Sequence, residues 1–238
     1  MYRFLTQSKL NQKFIRKRPF FLLILLFIFY NNTHGFTEEE LKWLESDNEE
    51  KSFAVNEGQL EFLTDKRKNI LHSDNIISID SNSIDTGWVS LKQCYRHLDK
   101  LPEVDITYQY RFMQQLTIIS RKNIEDAIIN NQSISLKNIS DNAEICITAE
   151  VRIFYQNPNG SYSLINGPYH RQFLDGYYPY HVSLQVNYPS QLLKLISTIP
   201  ASQRGFLVKQ QENRISIDTF FEGRLNTEII FTETKKSN

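Results

Sequence analysis

The chain has 238 residues with 27 basic and 27 acidic side chains. The two signs are unevenly distributed, because residues 1–35 contain six of the Lys and Arg residues and no Asp or Glu. Residues 36–238 therefore carry 21 basic and 27 acidic side chains, a net charge of −6. Recognition of a phosphate backbone needs a surplus of clustered Lys and Arg, so this charge excludes nucleic acid as a partner.

Residues 1–35 have the organisation of a secretory signal peptide. Basic residues within 13–18 precede an uncharged apolar run of 11 residues, Phe20–Tyr30. This run is about half as long as the ~20 residues that a membrane-spanning helix needs. The small residues Thr33 and Gly35 predict cleavage after Gly35. We therefore expect a periplasmic or secreted protein, with an uncleaved segment that tethers it to the inner membrane as the alternative and as the only expected membrane contact.

Residues 36–52 are predicted to form a short acidic helix that leads into the main domain. Thr37 is a favourable N-cap residue, and Glu40 follows at the spacing of a capping box. The helix is too polar to form a core by itself. The remaining residues, 53–238, are enough for one domain with its own hydrophobic core and few for two.

Apolar and polar residues alternate through most of residues 53–238, which indicates β-strands. The longest alternating run, Ala143–Tyr155, ends at the turn sequence Asn157–Gly160, and a second run covers Tyr180–Tyr188. Three more predicted strands resemble a C-terminal meander: Gly205–Gln210, Arg214–Phe221 and Arg224–Thr232. The pattern predicts a mainly β fold, a single antiparallel β-sandwich or curled-sheet domain with one to three short helices.

Three stretches of this domain are predicted not to be strands. The polar residues 65–75 have the composition of a loop. Residues 123–130 are predicted to form one or two helical turns capped by Asn123, and residues 190–198 a helix capped by Ser190. These two segments account for the short helices of the predicted fold.

The chain has two cysteines, Cys94 and Cys146, and both fall in strand-like segments of the main domain. Two cysteines in an exported protein favour a disulfide bond, with two buried free thiols as the alternative. A bond would close a loop of about 50 residues and contribute roughly 3–4 kcal/mol in the chain-entropy description. A thiol nucleophile is disfavoured, because Cys94 and His97 lie three residues apart on a strand and point to opposite faces.

Residues 166–181 differ most from ordinary strand and turn sequence and are the candidate contact surface. Long connections on a β scaffold are favoured places for binding. Aromatic faces and a guanidinium group there would contact a protein or a glycan, and the residues concerned are Tyr169, Arg171, Tyr177, Tyr178 and Tyr180. The alternative is a structural role, with Arg171 paired to Asp175 across a tight loop and the tyrosines packed at the edge of the core.

The same segment supports a second hypothesis, a secreted hydrolase-type enzyme. In this hypothesis Asp175 acts with His170 or with His181 as an acid–base pair in a pocket. The spacing of these three side chains matches no metal-ligand pattern, so no metal site is predicted.

No stretch of the sequence carries a serine-hydrolase, P-loop, zincin, thioredoxin or calcium-loop motif. No catalytic residue and no cofactor are therefore assigned. The sequence favours a non-enzymatic exported β-domain that binds or organises a partner through residues 166–181. The hydrolase and a signal-anchored scaffold at the membrane are the alternatives.

Overall fold

The computed structural model describes residues 2–3, 56–64, 70–173 and 176–234, with residues 2–3 described by their backbone alone. These residues belong to one unit of contacting segments, bounded as Met1–Thr6 and Val55–Asn238. The predicted signal segment, its cleavage site and the acidic helix at 36–52 lie outside the described residues. They stay predictions.

Strands make up most of the described residues. In chain order they are β1 (Tyr2–Arg3), β2 (Glu61–Leu63), β3 (His72–Ser78), β4 (Trp88–Leu98), β5 (Glu103–Thr107), β6 (Met113–Asn130), β7 (Ser133–Arg152), β8 (Phe154–Gln156), β9 (Tyr162–Tyr169), β10 (Arg171–Phe173), β11 (Gly176–Tyr177), β12 (Tyr180–Asn187), β13 (Leu193–Ile199), β14 (Phe206–Gln211), β15 (Arg214–Glu222) and β16 (Leu225–Glu233). The mainly β prediction is confirmed.

The helix within the described ranges, α1, covers Ser81–Thr86. Its N-cap residue is Asp80, whose side chain accepts a hydrogen bond from the Ser83 backbone N–H at 2.8 Å. Its C-cap residue is Gly87, which has the left-handed conformation typical of a helix end. In this part of the chain no helix is long and apolar enough to cross a membrane.

Strand β7 is the centre of the larger sheet. Strand β6 pairs along one edge of β7, while β4 and β5 share the other edge. From β4 the sheet continues through β3, β12 and β15 to β14, and β2 pairs with the far end of β15. From β5 it continues through β1 and β10 to β11. The β3–β12 and β1–β10 pairs are parallel and the other pairs antiparallel.

The smaller sheet has four antiparallel strands in the order β13, β16, β9 and β8. Buried side chains from both sheets form one hydrophobic cluster, which includes Ile147 and Leu184 of the larger sheet and Leu164 and Phe231 of the smaller one. Apolar faces of two sheets that bury one another form a β-sandwich. The predicted sandwich-like fold is confirmed.

The alternation that predicted β7 and β12 corresponds to burial. In β12 every second side chain is buried and the residues between them are half-buried. The predicted run Ala143–Tyr155 loses its phase at the end, because the adjacent residues Ile153 and Phe154 are both buried. The chain passes there from β7 of the larger sheet to β8 of the smaller one. A chain that changes sheets contacts the core first from one side and then from the other.

The two predicted helices are wrong, because both segments are strands. Residues 123–130 form the distal half of β6, where Ile124 pairs with Ile139 of β7. Residues 190–198 form a turn followed by β13, which pairs with β16. In both segments pairing with a neighbouring strand outweighs a weak local helical pattern.

The predicted loop at 65–75 is wrong in its second half, where β3 begins at His72. The polar side chains Ser73 and Asn75 of β3 are fully buried. Gln93 Nε2 donates to the Ser73 hydroxyl at 3.1 Å and also contacts Asn75 Oδ1. A strand that buries hydrogen-bonded polar residues lacks the apolar alternation by which strands are recognised.

All three strands of the predicted C-terminal meander form, but only the first two are neighbours in one sheet. Strands β14 and β15 form a hairpin, whereas β16 crosses to the smaller sheet. The crossing occurs at Gly223, which has φ of 84°. A Cβ atom there would lie 1.9 Å from the Gln59 carbonyl oxygen, so the close approach of the two backbones requires glycine.

Candidate functional site

Residues 166–181, predicted as a long connection, are largely strand. They contain the end of β9, the whole of β10 and β11, and the start of β12. Four predicted site residues have relative exposures of 6% or less: Tyr169, His170, Tyr177 and Tyr180. Their rings pack inside the protein and form no open aromatic surface. Asp175 lies outside the described residues.

Hydrogen bonds around Asn166 hold part of this buried tyrosine cluster. The Tyr110 hydroxyl donates to Asn166 Oδ1 at 2.8 Å, and Asn166 Nδ2 donates to the Tyr169 hydroxyl at 2.5 Å. Burial raises the pKa of the Tyr110, Tyr169 and Tyr180 hydroxyls well above the ordinary value of 10.0. These hydroxyls stay protonated at physiological pH and do not act as bases.

Arg171 is held by an ion pair that the sequence does not indicate. Its Nη2 lies 2.6 Å from Asp99 Oδ1, and the two side chains are 13% and 28% exposed. The guanidinium group also lies over the rings of Phe173 and Tyr178, at 5.2 and 5.7 Å from their centroids. Most of the Arg171 side chain is therefore committed to neighbours within the protein.

His170 and His181 lie in different environments. His170 is buried and meets the ring of Tyr177 edge to face, with centroids 5.7 Å apart. His181 follows the inward-facing Tyr180 on β12 and points to the opposite face of the sheet. The structure thus separates the two histidines, one into the interior and one onto the outer face.

A stack of three rings, which no sequence pattern indicates, lies on that outer face. His72 of β3, His181 of β12 and Phe220 of β15 occupy matching positions on three neighbouring strands. The centroids of His72 and His181 are 3.8 Å apart and those of His181 and Phe220 are 3.9 Å apart, with an interplanar angle of 11° in each pair. We call these three residues the ring stack.

A row of polar side chains lies beside the ring stack. Ser183 of β12 pairs with Asp74 of β3 on one side and Asp218 of β15 on the other. Asp218 Oδ1 is 2.7 Å from His181 Nε2 and accepts a hydrogen bond from Ser183 Oγ at 3.1 Å. His72 Nε2 lies 2.9 Å from the same Ser183 Oγ. Where the Ser183 hydroxyl donates to Asp218, its oxygen is left to accept from His72 Nε2.

This hydrogen-bond pattern does not activate a nucleophile. A serine nucleophile gives its proton to a histidine base, whereas Ser183 donates to a carboxylate. Burial, and then the neighbouring His181, lower the pKa of His72 from 6.5 to about 4. His72 is therefore neutral at neutral pH. Among the described residues no three His, Cys, Asp or Glu side chains are grouped to hold a metal ion.

A depression opens where the ring stack meets the edge of the larger sheet. Strands β14 and β2 pair there with the adjacent β15 residues Thr219 and Phe220. The depression has a volume of about 320 Å³, within the range of small binding sites. Its lining residues are Leu63, Thr64, Arg204, Gly205, Leu207, Asp218, Thr219 and Phe220. The walls are thus mainly apolar, with one acidic and one basic side chain.

Cys94 of β4 and Cys146 of β7 form a disulfide bond between directly paired residues. The predicted bond is confirmed, and the alternative of two free thiols is wrong. Asp74 of the polar row pairs with Cys94, so the disulfide lies on the same face as the ring stack. A structural disulfide is typical of proteins that mature in an oxidising compartment.

No protein-family model matches the chain, and no curated protein matches it. Among solved structures, the M1 zinc metallopeptidase from Deinococcus radiodurans matches at 9% identity and a TM-score of 0.37, covering 75% of this chain and 43% of that one. A substrate-bound mutant of an M1 zinc metallopeptidase from the same organism matches at 8% identity and 0.37, covering 74% and 43%. A two-domain M1 zinc metallopeptidase mutant bound to L-tryptophan matches at 10% identity and 0.36, also covering 74% and 43%. The chain spans less than half the length of these proteins, and a likeness at this level assigns it to no family.

Proposed function

We propose that the chain is an exported, non-enzymatic β-domain that binds a protein partner in the periplasm, the envelope or the extracellular space. The contact surface is the depression beside the ring stack and not residues 166–181. The observation that carries the proposal is an apolar depression with opposite charges on its walls. Export rests on the predicted signal at residues 1–35, and the Cys94–Cys146 bond supports it.

The chemistry of the depression favours an apolar side chain of a protein. Leu207 is 50% exposed beside Leu63 and the buried ring of Phe220, and covering Leu207 would remove apolar surface from water. Asp218 and Arg204 would meet polar groups on either side of that anchor. A glycan fits less well, because sugars stack on open ring faces and the rings here are stacked on one another.

Site-specific photo-crosslinking in living cells tests this proposal. A photoreactive phenylalanine analogue at position 207 should give a discrete crosslinked species in the exported fraction. The matched control is the same analogue at Ile196, which is 56% exposed on β13 of the smaller sheet. Crosslinks of equal yield at both positions, or none at position 207, would contradict a docking role for the depression.

A substitution that keeps the fold separates docking from simple exposure. Leu207→Asp places a second carboxylate beside Asp218 and removes an apolar wall, so partner recovery should fall at least ~10-fold. The control Ile196→Asp makes the same change at an exposed site of the smaller sheet and should leave recovery unchanged. Equal partner recovery with both variants would count against the proposal.

A secreted hydrolase is the second candidate, because His181 forms a histidine–carboxylate pair with Asp218, which lines the depression. In this version Asp218 replaces Asp175 as the acid that acts with His181. Asp218→Asn keeps the size of the side chain and removes its charge. Loss of a measured turnover in this variant, with crosslinking at position 207 retained, would favour the enzyme.

The signal-anchored scaffold is separated from a released domain by fractionation. A tethered chain stays in the membrane pellet after an alkaline wash, because an apolar segment in the bilayer resists extraction. A cleaved domain is recovered in the soluble exported fraction. We expect the second result.

A further inference from the structure

Strand β6 is an edge strand of unusual length. It has 18 residues, whereas strands of globular proteins usually have about 3–10. It pairs with β7, and its other edge has no partner strand among the described residues. A long unpaired edge is a template for another strand, and proteins usually protect such edges.

The side chains of β6 combine exposed isoleucines with charges of both signs. In chain order β6 has an isoleucine pair, a basic pair, an acidic pair and a second isoleucine pair, which are Ile118–Ile119, Arg121–Lys122, Glu125–Asp126 and Ile128–Ile129. Three of these four isoleucines are exposed, by 47%, 45% and 38%. Exposed isoleucines on a strand edge favour burial against a second strand.

The order of these pairs along β6 is complementary to the same strand of a second copy when the two strands run antiparallel. If a second copy of β6 runs antiparallel about a two-fold axis between Asn123 and Ile124, each basic pair lies opposite the acidic pair of the other copy. The same axis places each first isoleucine pair opposite the second isoleucine pair of the other copy. Opposite charges and apolar side chains facing one another are the pairs that stabilise antiparallel strands.

We infer that a second copy of this chain docks along the free edge of β6 and continues the larger sheet across a two-fold axis. Within the larger sheet β7, β4, β3 and β12 lie between β6 and β15, the strand that borders the depression. Dimerisation is therefore independent of partner binding at the depression. A two-fold axis also makes the contact self-limiting, because each copy uses its single free β6 edge.

The bend of β6 is compatible with this contact. Asn123 has φ of 57°, and the pairing of β6 with β7 shifts its register at Asn123, at Ile119 and between Gln114 and Thr117. A two-fold axis normal to the sheet turns both copies towards the same face, so their bends coincide. An open indentation of about 400 Å³, lined in part by Ile119 and Ala127, flanks the bend and provides room for side chains of the second copy.

The charged side chains at the bend can change ion-pair partners from the same chain to the other copy with little loss of stability. Arg121 Nη1 lies 3.5 Å from Asp126 Oδ1 of the same chain, and the two side chains are 44% and 50% exposed. An ion pair with this exposure contributes little to stability. In the dimer Arg121 meets Asp126 of the other copy and Lys122 meets Glu125, and each contact occurs twice by symmetry.

Charge-swapped variants test the inference by sedimentation equilibrium on the purified exported protein. The wild type should show a concentration-dependent mass that reaches the dimer. The all-acidic variant R121E/K122E and the all-basic variant E125K/D126K should each raise the dimer dissociation constant more than about tenfold, because four attractive contacts become repulsive. The control variant K209E/E212K reverses two exposed charges, one on β14 and one at the β14–β15 turn, and should dimerise like the wild type.

Mixing the two variants distinguishes loss of the dimer contact from unfolding of the variants. An equimolar mixture should form a one-to-one heterodimer with wild-type affinity, because every contact across the axis again joins opposite charges. A wild type that stays monomeric at all concentrations would overturn the inference. So would a mixture that stays monomeric while each variant alone keeps the β-sheet circular dichroism of the wild type.

Discussion

His181 lies face to face with His72, their ring centroids 3.8 Å apart, while its Nε2 lies 2.7 Å from Asp218. The two imidazoles therefore have different surroundings, since Nε2 of His181 contacts a carboxylate and Nε2 of His72 contacts the Ser183 hydroxyl. With Phe220 they join three neighbouring strands, and Phe220 and Asp218 also line the depression. The ring stack and its carboxylate partner thus connect the three strands to the proposed contact surface.

Acidification should destabilise the domain between about pH 6.5 and 4. The folded-state pKa of His72 is about 4, below the ordinary 6.5, so the unfolded chain binds more protons in this interval. The stability that neutral His72 contributes is complete above pH 6.5 and is lost as the pH falls towards 4. In chemical denaturation at several pH values, His72→Gln should flatten this decline in the free energy of unfolding. Equal slopes for His72→Gln and the wild type would refute the assignment.

Removal of the disulfide should lower the free energy of unfolding by about 3–4 kcal/mol in the chain-entropy description. Cys94 and Cys146 are 52 residues apart, and their bond restricts the unfolded chain. The double variant C94A/C146A and the reduced wild type should unfold at similar denaturant concentrations, both below that of the oxidised protein. A reductant should have no effect on the double variant. An oxidised wild type as labile as the double variant would contradict a stabilising role.

Loss of the Asp99 carboxylate, which pairs with Arg171, should lower the free energy of unfolding. Asp99→Asn leaves a largely buried guanidinium group without its carboxylate, and we expect a loss of about 2 kcal/mol, below the full value for a completely buried pair. The control Asp141→Asn removes the partner of Lys100 in a pair whose side chains are 75% and 69% exposed, and should cost less than about 0.5 kcal/mol. Similar losses in the two variants would show that the Arg171 ion pair is not structural.

Gly223→Ala should destabilise the protein more than Gly160→Ala. Both glycines have positive φ, 84° and 81°, so each variant carries the strain of the left-handed conformation, roughly 1 kcal/mol. At Gly223 the new Cβ would also lie 1.9 Å from the Gln59 carbonyl oxygen. At Gly160 no atom lies within 4 Å of the new Cβ. We expect a difference of at least ~1–2 kcal/mol between the two variants in chemical denaturation. Equal losses would mean that the backbone at the sheet crossing adjusts freely.

Much of the fold could be predicted because its longest strands bury one face. Val182, Leu184 and Val186 alternate with half-buried residues in β12, and the inward residues of β7 do the same. The disulfide followed from the number of cysteines and the predicted compartment. The distal half of β6 could not be recognised, because its isoleucines suit a short helix as well as a strand and its pairing with β7 decides between them.

The candidate site could not be predicted, because strand register creates it. His72 and His181 become neighbours only when β3 lies parallel to β12, and the buried polar residues of β3 hide this strand in the sequence. Three of the tyrosines within 166–181, predicted as contact residues, are instead buried. An aromatic ring with a polar group is typical of a contact surface, but Tyr169 lies in the core with Asn166 as its hydrogen-bond partner.

Export is the claim on which the proposed function depends, and the intact mass and N-terminal sequence of the protein in the exported fraction test it most directly. We predict a chain that begins at Phe36, lacks β1, and is lighter by two hydrogens than its reduced form because Cys94 and Cys146 are joined. A full-length chain that begins at Met1, is recovered from the cytosol and has both thiols reduced would contradict the account.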